Sequence, residues 1–345
     1  MPLVEPTPLQ GRAIQIRSCR GVLLGPVRVV IRSNDADFTG FRFFSEFFDA
    51  AGPDSNELEP DFKLSLCNLK LDGPWPLQEL ALERDKSYRG KRMSVGYYLT
   101  DHFGTPAYLM TRGNHFWIFA EDFEPILWPY AVKYLLTLYA MEHNLLHLKA
   151  VGLAVDGQGT LLVGRGGSGK TVLLSQLCRT GAKFLSNTHI LVDSQNMVAV
   201  RTSMRVRQDR FFGPIVAARS LSPNVKASEY IADPIRDLEW PSAAAAPIRN
   251  VCLVDYRGPD HCAIREFDRD ILFDYMDQFS LAVNVYGLKE DLLDALAGDV
   301  TRFSVEMSET RERLRTLIRQ VRCHYVSCDA EDPGNLQTIM RLLSS

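Results

Sequence analysis

Over about the first 125 residues, apolar and polar positions change places every second residue more often than every third or fourth, the period of strands. Ala13 to Ile16, Val27 to Ile31, Met93 to Leu99, Ala107 to Met110 and His115 to Phe119 are the predicted strands. Thr111 to Asn114 is polar and holds Gly113, so it joins the last two as a hairpin. Ala50 to Pro60, AAGPDSNELEP, is polar and rich in turn formers, which predicts an exposed loop.

From Tyr130 the pattern predicts a helix to Leu146, followed by two short apolar runs, Val151 to Val155 and Thr160 to Val163. Asp156-Gly157 between them is a strong hairpin signal. Thr171 to Thr180 has helical spacing, and Gly181 stops it in the position just past the end, where glycine is favoured. Lys183 to Leu185 and Ile190 to Val192 flank SNTH as strands, and Met197 to Val200 returns after the turn Asp193 to Asn196. Trp240 to Pro247, WPSAAAAP, is predicted as a flexible connector between this region and the strand pair Val251 to Tyr256 and Ala263 to Phe267. Helices follow near Ile271 to Val283, Asp291 to Ala297 and Phe303 to Val321, then a strand, Cys323 to Cys328, and a helix, Asn335 to Leu343. The order predicts an α/β protein with a β-rich N-terminal domain over residues 1–129 and a second domain over residues 130–345.

Composition narrows the setting. With 46% hydrophobic and 23% charged residues, the 345-residue chain has the make-up of a soluble globular protein. A net charge of -3 gives no reason to expect nucleic acid as a partner, although Arg201, Arg205, Arg207 and Arg210 are close enough to form a local basic patch. These arginines are either an exposed strand face or a clamp on an anionic substrate. The N-terminal residues lack the basic-then-apolar pattern of a signal peptide, and Ile126 to Met141, interrupted by Pro129 and Lys133, is too short to span a bilayer. Seven scattered cysteines fit a reducing compartment, so a cytoplasmic protein without membrane attachment is expected. Cys323, His324 and Cys328 are close in sequence, but a strand puts adjacent side chains on opposite faces, which argues against a zinc site.

The sharpest chemical signal is GRGGSGKT: Gly164, Arg165, Gly166, Gly167, Ser168, Gly169, Lys170 and Thr171. Glycines let the backbone curl so that successive N–H groups point at phosphate oxygens, and the following helix offers its positive end to the same anion. Lys170 reaches the β- and γ-phosphates and the Thr171 hydroxyl is a ligand for Mg²⁺. An apolar strand before and a helix after are the setting this chemistry requires.

Leu146 to Val192, with its hairpin, loop, helix and Gly181, resembles the HPr kinase/phosphorylase family and its cousins among small-molecule and peptide kinases. In that family a histidine followed by a small residue precedes the hairpin, which puts His147 at the matching position. His147 is then a core or capping histidine or, by the resemblance, a phosphate contact. The family's strand after the helix ends in Ala-Asp-Asp-Arg, one aspartate acting as general base and its neighbour holding Mg²⁺. Counted from Gly181, those positions here are Ser186, Asn187, Thr188 and His189, so both carboxylates are missing. Asn187 and Thr188 retain oxygens for a metal shell, with Asn187 the second metal-ligand candidate beside Thr171. His189 is the candidate base. Asp193 is the nearest acid, but DSQN makes it a turn residue.

The resemblance implies a P-loop kinase domain with a mixed sheet that uses ATP and Mg²⁺ to phosphorylate a hydroxyl of a small molecule or peptide. The alternatives are an ATP-binding accessory or regulatory protein that no longer transfers phosphate, and a nucleoside triphosphatase. A homo-oligomer is compatible with the sequence.

Overall fold

A computed structural model describes residues 3–9, 11–49, 59–75, 82–84, 90–93, 96–99, 107–193, 195–219, 221–224 and 228–344. The protein is mixed α/β, and its internal contacts divide it into two compact units, Met1–Leu135 and Leu136–Ser345. No helix among the described residues is long and apolar enough to cross a membrane.

In the first unit nine strands form one sheet in the order Glu46–Phe48, Ser18–Leu24, Val27–Ser33, Phe62–Asn68, His115–Ala120, Ala107–Arg112, Gly96–Leu99, Gly90–Met93, Leu82–Arg84. Phe62–Asn68 is parallel to both of its neighbours and the remaining pairs are antiparallel. The segment expected as one strand, Met93 to Leu99, instead contributes to two antiparallel strands, with Met93 paired to Gly96; residues 94–95 are not among those described. Most of the predicted loop Ala50 to Pro60 also lies outside the described residues. Buried Glu5 accepts hydrogen bonds from Ser65 and Arg32 and pairs with His115. Burial would raise this carboxyl, but the bonds from His115, Ser65 and Arg32 outweigh it and hold the group at about 2.

The predicted helix from Tyr130 starts earlier and stops sooner. A wide π-helical segment, Leu127–Val132, precedes regular helix over Lys133–Glu142. Pro129 inside the segment has no N–H for the regular helical bond. Asn144 has a φ of 57°, and the Leu145 N–H turns back to the Ala140 carbonyl, which ends the helix. Leu146–Lys149 is therefore strand, not helix.

The second unit is built on a sheet ordered Leu146–Lys149, His189–Val192, Asn196–Ala199, Ala245–Val254, Gln158–Val163, Val151–Val155, Lys183–Ser186. The ten-residue strand Ala245–Val254 is its spine. Its first residues pair antiparallel with Asn196–Ala199, while the rest run parallel to Gln158–Val163 on one edge and to Arg322–Ser327 on the other. WPSAAAAP is thus no connector at its end, because Ala245 to Pro247 already belong to the sheet. Asp156 and Gly157 both have positive φ, 49° and 79°, as the two-residue hairpin turn demands. Leu153, Leu162, Cys252 and Val254 face a common core with Leu173, Leu174 and Leu177 of helix Lys170–Arg179 and Ile339 and Leu343 of helix Pro333–Ser344. A sheet covered on this face and threaded by parallel strands reads as nearly unbroken apolar runs, as GTLLV and VCLV do.

Candidate functional site

Gln158–Val163 ends at the sheet edge, and residues 164–169 carry the chain into helix Lys170–Arg179. The turn is possible because Gly164, Gly167 and Gly169 take φ values of 152°, 79° and 89°. A Cβ on Gly164 would lie 2.4 Å from the Val254 carbonyl, so the first glycine lets the loop rest on the neighbouring strand. A second backbone tie, Tyr256 N–H to Ser168 O at 3.1 Å, holds the other side of the curl. By contrast, a Cβ on Gly166 or Gly167 would meet nothing within 4 Å. Arg165, Gly166 and Gly167 are exposed, whereas Ser168 is buried.

Lys170 folds back beneath its own loop. Its ammonium donates to Gly164 O at 2.6 Å, Arg165 O at 2.8 Å and Ser168 Oγ at 3.2 Å. Burial, with the charge of Lys149 added, pushes its pKa down to about 8. Thr171 follows in the first helical turn, half-buried.

The SNTH step stands at the same end of the sheet. Ser186 pairs with Gly152 and Leu162 with Val151, so the ends of both outer strands flank the start of the middle one. Asn187 and Thr188 are half-buried, with Asn187 Oδ1 accepting from Thr202 Oγ1 at 3.3 Å and Thr188 O from Ala150 N at 3.0 Å. His189 is wholly enclosed. Its Nδ1 lies 3.0 Å from His147 Nε2, and His147 Nδ1 lies 2.8 Å from Thr137 Oγ1. The two histidines singled out from sequence are therefore brought together, but into a buried chain of polar groups beside Tyr286 and not into the glycine-rich loop. Ser186 Oγ bonds the His189 carbonyl and closes the step on itself. Asp193 is a turn residue whose carboxylate accepts from Gln195 N and Asn196 N.

Asp255 is not among the residues that the sequence pattern singles out. It follows VCLV at the end of the spine strand, between the two residues on which the loop rests. Burial would raise its carboxyl, but hydrogen bonds from Arg257 (2.8 Å) and Tyr325 (3.0 Å) and the nearby charges of Arg257 and Arg165 hold it below the usual range. Arg165, Asp255, Arg257 and Tyr275 line a recess of about 590 Å³. The missed signal was four apolar residues running into an acid, in a strand long enough to be a parallel neighbour of the loop strand.

The remaining sequence candidates go elsewhere. Met204–Arg207 alternates buried and exposed, with Arg205 and Arg207 outward, and Arg207 pairs with Glu229. Arg210 pairs with Glu331 at 2.7 Å. Cys323 turns to the Ile318 and Val321 carbonyls and His324 to Asn250, and no cluster of three metal-ligating side chains occurs among the described residues.

The fit to a magnesium nucleotide follows from these parts. Gly166 and Gly167 leave open space over the loop, and Mg²⁺ is a cation that takes few protein ligands beside phosphate oxygens and water. Thr171, half-buried in the first turn of the helix, is the hydroxyl that would meet that modest demand, whereas Asn187 Oδ1 already accepts from Thr202 Oγ1.

No family model and no curated protein sequence matches the chain. Among solved structures it is similar to the Hpr(Ser) kinase/phosphatase from Coxiella burnetii, with 11% identity and a TM-score of 0.26 over 57% of this chain and 93% of that one. A likeness that distant does not bear on function.

Proposed function

We propose that the second unit binds a nucleoside triphosphate through Gly164–Thr171 and transfers its γ-phosphoryl group to a hydroxyl of a small molecule or peptide. The observation that carries this reading is the loop itself: a curl opened by positive-φ glycines, with the Lys170 ammonium held against Gly164 O and Arg165 O. Phosphoryl transfer asks the protein mainly for positioning and for charge to offset the transferring group. Lys170 and the loop amides supply that charge. Mg²⁺ held by Thr171, with Asn187 as the second candidate ligand, would neutralise phosphate oxygens.

Asp255 is the carboxylate offered in place of the missing pair. It is ionised in the neutral range and opens on the recess beside Arg165, near the end of the loop that Lys170 reaches. An acceptor hydroxyl lodged there would pass its proton to Asp255, while Arg165 and Arg257 steady an anionic acceptor. His189, enclosed with His147, has a structural part in this reading.

The enclosed SNTH step also supports a second reading, an ATP-binding regulatory protein with no transfer. The two readings part in one assay, in which γ-labelled ATP and Mg²⁺ are offered with metabolite and peptide fractions of an extract. A kinase labels an acceptor, and Asp255→Asn lowers the rate about a hundredfold while ATP still binds. Tight ATP binding with no labelled acceptor in any fraction leaves the regulatory reading standing.

A further inference from the structure

A second cavity, of about 260 Å³, adjoins the loop from the helix side. Ser168, Gly169, Val172, Phe211, Tyr256 and Ala330 are among the residues that line it, with Tyr256 tied directly to Ser168 O. Arg210 and Glu331, both on its lining, join in an ion pair that links the segment holding Phe211 to the one holding Ala330. We infer that this cavity receives the base and ribose of the nucleotide whose phosphates lie on the loop.

The direction of the loop carries the argument, which rests on the phosphate-binding reading above. Lys170 Nζ lies beneath Gly164 and Arg165, so the terminal phosphates belong at the loop's first residues. The α-phosphate then lies toward the helix's first turn, and the nucleoside must leave past Val172. The cavity opens at that point. Its surroundings also suit a planar, weakly polar ring: Val172, Phe211, Tyr256 and Ala330 are apolar or aromatic, and of the four charged residues Arg210 pairs with Glu331 while Asp209 and Asp329 accept from backbone N–H groups of their own turns. The recess at Arg165 and Asp255 is lined by two arginines and an acid, which suits an anionic or hydroxyl-bearing acceptor better than a base.

Calorimetric titration of the full chain with Mg²⁺–ATP and with Mg²⁺–tripolyphosphate separates this inference from the reading beneath it. ATP should bind at least about tenfold more tightly than tripolyphosphate, because only ATP buries a base. Ala330→Trp, which fills the cavity, should remove that advantage and leave tripolyphosphate binding unchanged. 8-Azido-ATP, irradiated on the wild-type chain, should label peptides containing Phe211, Tyr256 or residues 328–331. Equal affinity for the two ligands, or an ATP affinity unmoved by Ala330→Trp, overturns the cavity assignment and leaves the loop intact. If neither polyphosphate binds, both fall. Should Ala330→Trp fail to fold, the labelled peptides decide, and label confined to other peptides overturns the inference.

Discussion

The glycine-rich loop and the SNTH step stand at one end of the same sheet, yet they are built on opposite plans. The loop is a curl in which Arg165, Gly166 and Gly167 are exposed, and it rests on its neighbour at Val254 O and Tyr256 N. The step is closed: Ser186 bonds the His189 carbonyl, Asn187 meets Thr202, and His189 joins a buried chain through His147 to Thr137. An anion site needs unspent donors, whereas a packed strand end spends them. The contrast teaches that an exposed glycine-rich turn and a closed, hydrogen-bonded strand end can be built side by side at one end of a sheet.

The largest expected effect lies in the loop. Lys170→Ala removes the ammonium held against Gly164 O and Arg165 O and should weaken Mg²⁺–ATP binding about 10- to 100-fold, the worth of a charge-assisted hydrogen bond. In thermal unfolding, the ATP-induced rise in midpoint should nearly vanish while the unliganded midpoint changes little. An ATP response equal to that of the parent would break the comparison at its strongest point.

Two glycine variants then test how the curl is built. Gly164→Ala drives a methyl group against Val254 O at a φ of 152° and should cost about 1–3 kcal/mol of stability. Gly166→Ala meets nothing and should unfold like the parent, but it intrudes on the space above the loop and should weaken ATP binding. Denaturant midpoints and titrations on the pair would show whether packing and ligand space divide between these two positions.

His189→Ala probes the closed side. Leaving His147 without its buried neighbour should cost on the order of 1–3 kcal/mol in stability. The turnover of the folded fraction should hold within about threefold, far short of the hundredfold loss of a general base. A large drop in turnover at full stability would return His189 to the catalytic role that its place in the motif implies.

The smallest effect is one of pH. Free Lys170 has its pKa pushed down to about 8, and a bound phosphate must raise it by favouring the charged amine. Protonation and binding therefore help one another: affinity is full below about pH 8 and falls by up to about tenfold per unit above it, until the pKa of the complex is reached. Titrations at pH 7 and 9 in buffers of different ionisation heat would show proton uptake on binding at the higher pH. Lys170→Arg, charged throughout, should lose this dependence.

Short-range signals were the legible ones. Asp156-Gly157 turns as its residue types require, Gly181 ends its helix with a φ of 107°, and the loop falls between the strand and helix that its pattern demanded. What the sequence hid depends on partners far along the chain. Leu146 to Lys149 continues an apolar helical run and becomes strand only because His189–Val192 lies ready to pair with it. Ala245 to Pro247 has the composition of a linker, and its place in the sheet is set by pairing with Asn196–Ala199. Asp255 looked like the polar end of one more strand. Its place beside the loop comes from Ile248–Leu253 lying parallel to the loop strand, which no local window contains.

The long strand also fixes when the protein can first act during its synthesis. Gly159 finds its parallel partner only at Ile248, and the loop's two resting points, Val254 and Tyr256, come later still. A nascent chain that stops before Ala245 already carries every residue of the glycine-rich motif and the whole helix behind it, yet has nothing for the curl to lean on. On the proposed function, nucleotide capture is therefore a late event on the ribosome: it waits for the spine strand, whose other parallel neighbour, Arg322–Ser327, emerges later still.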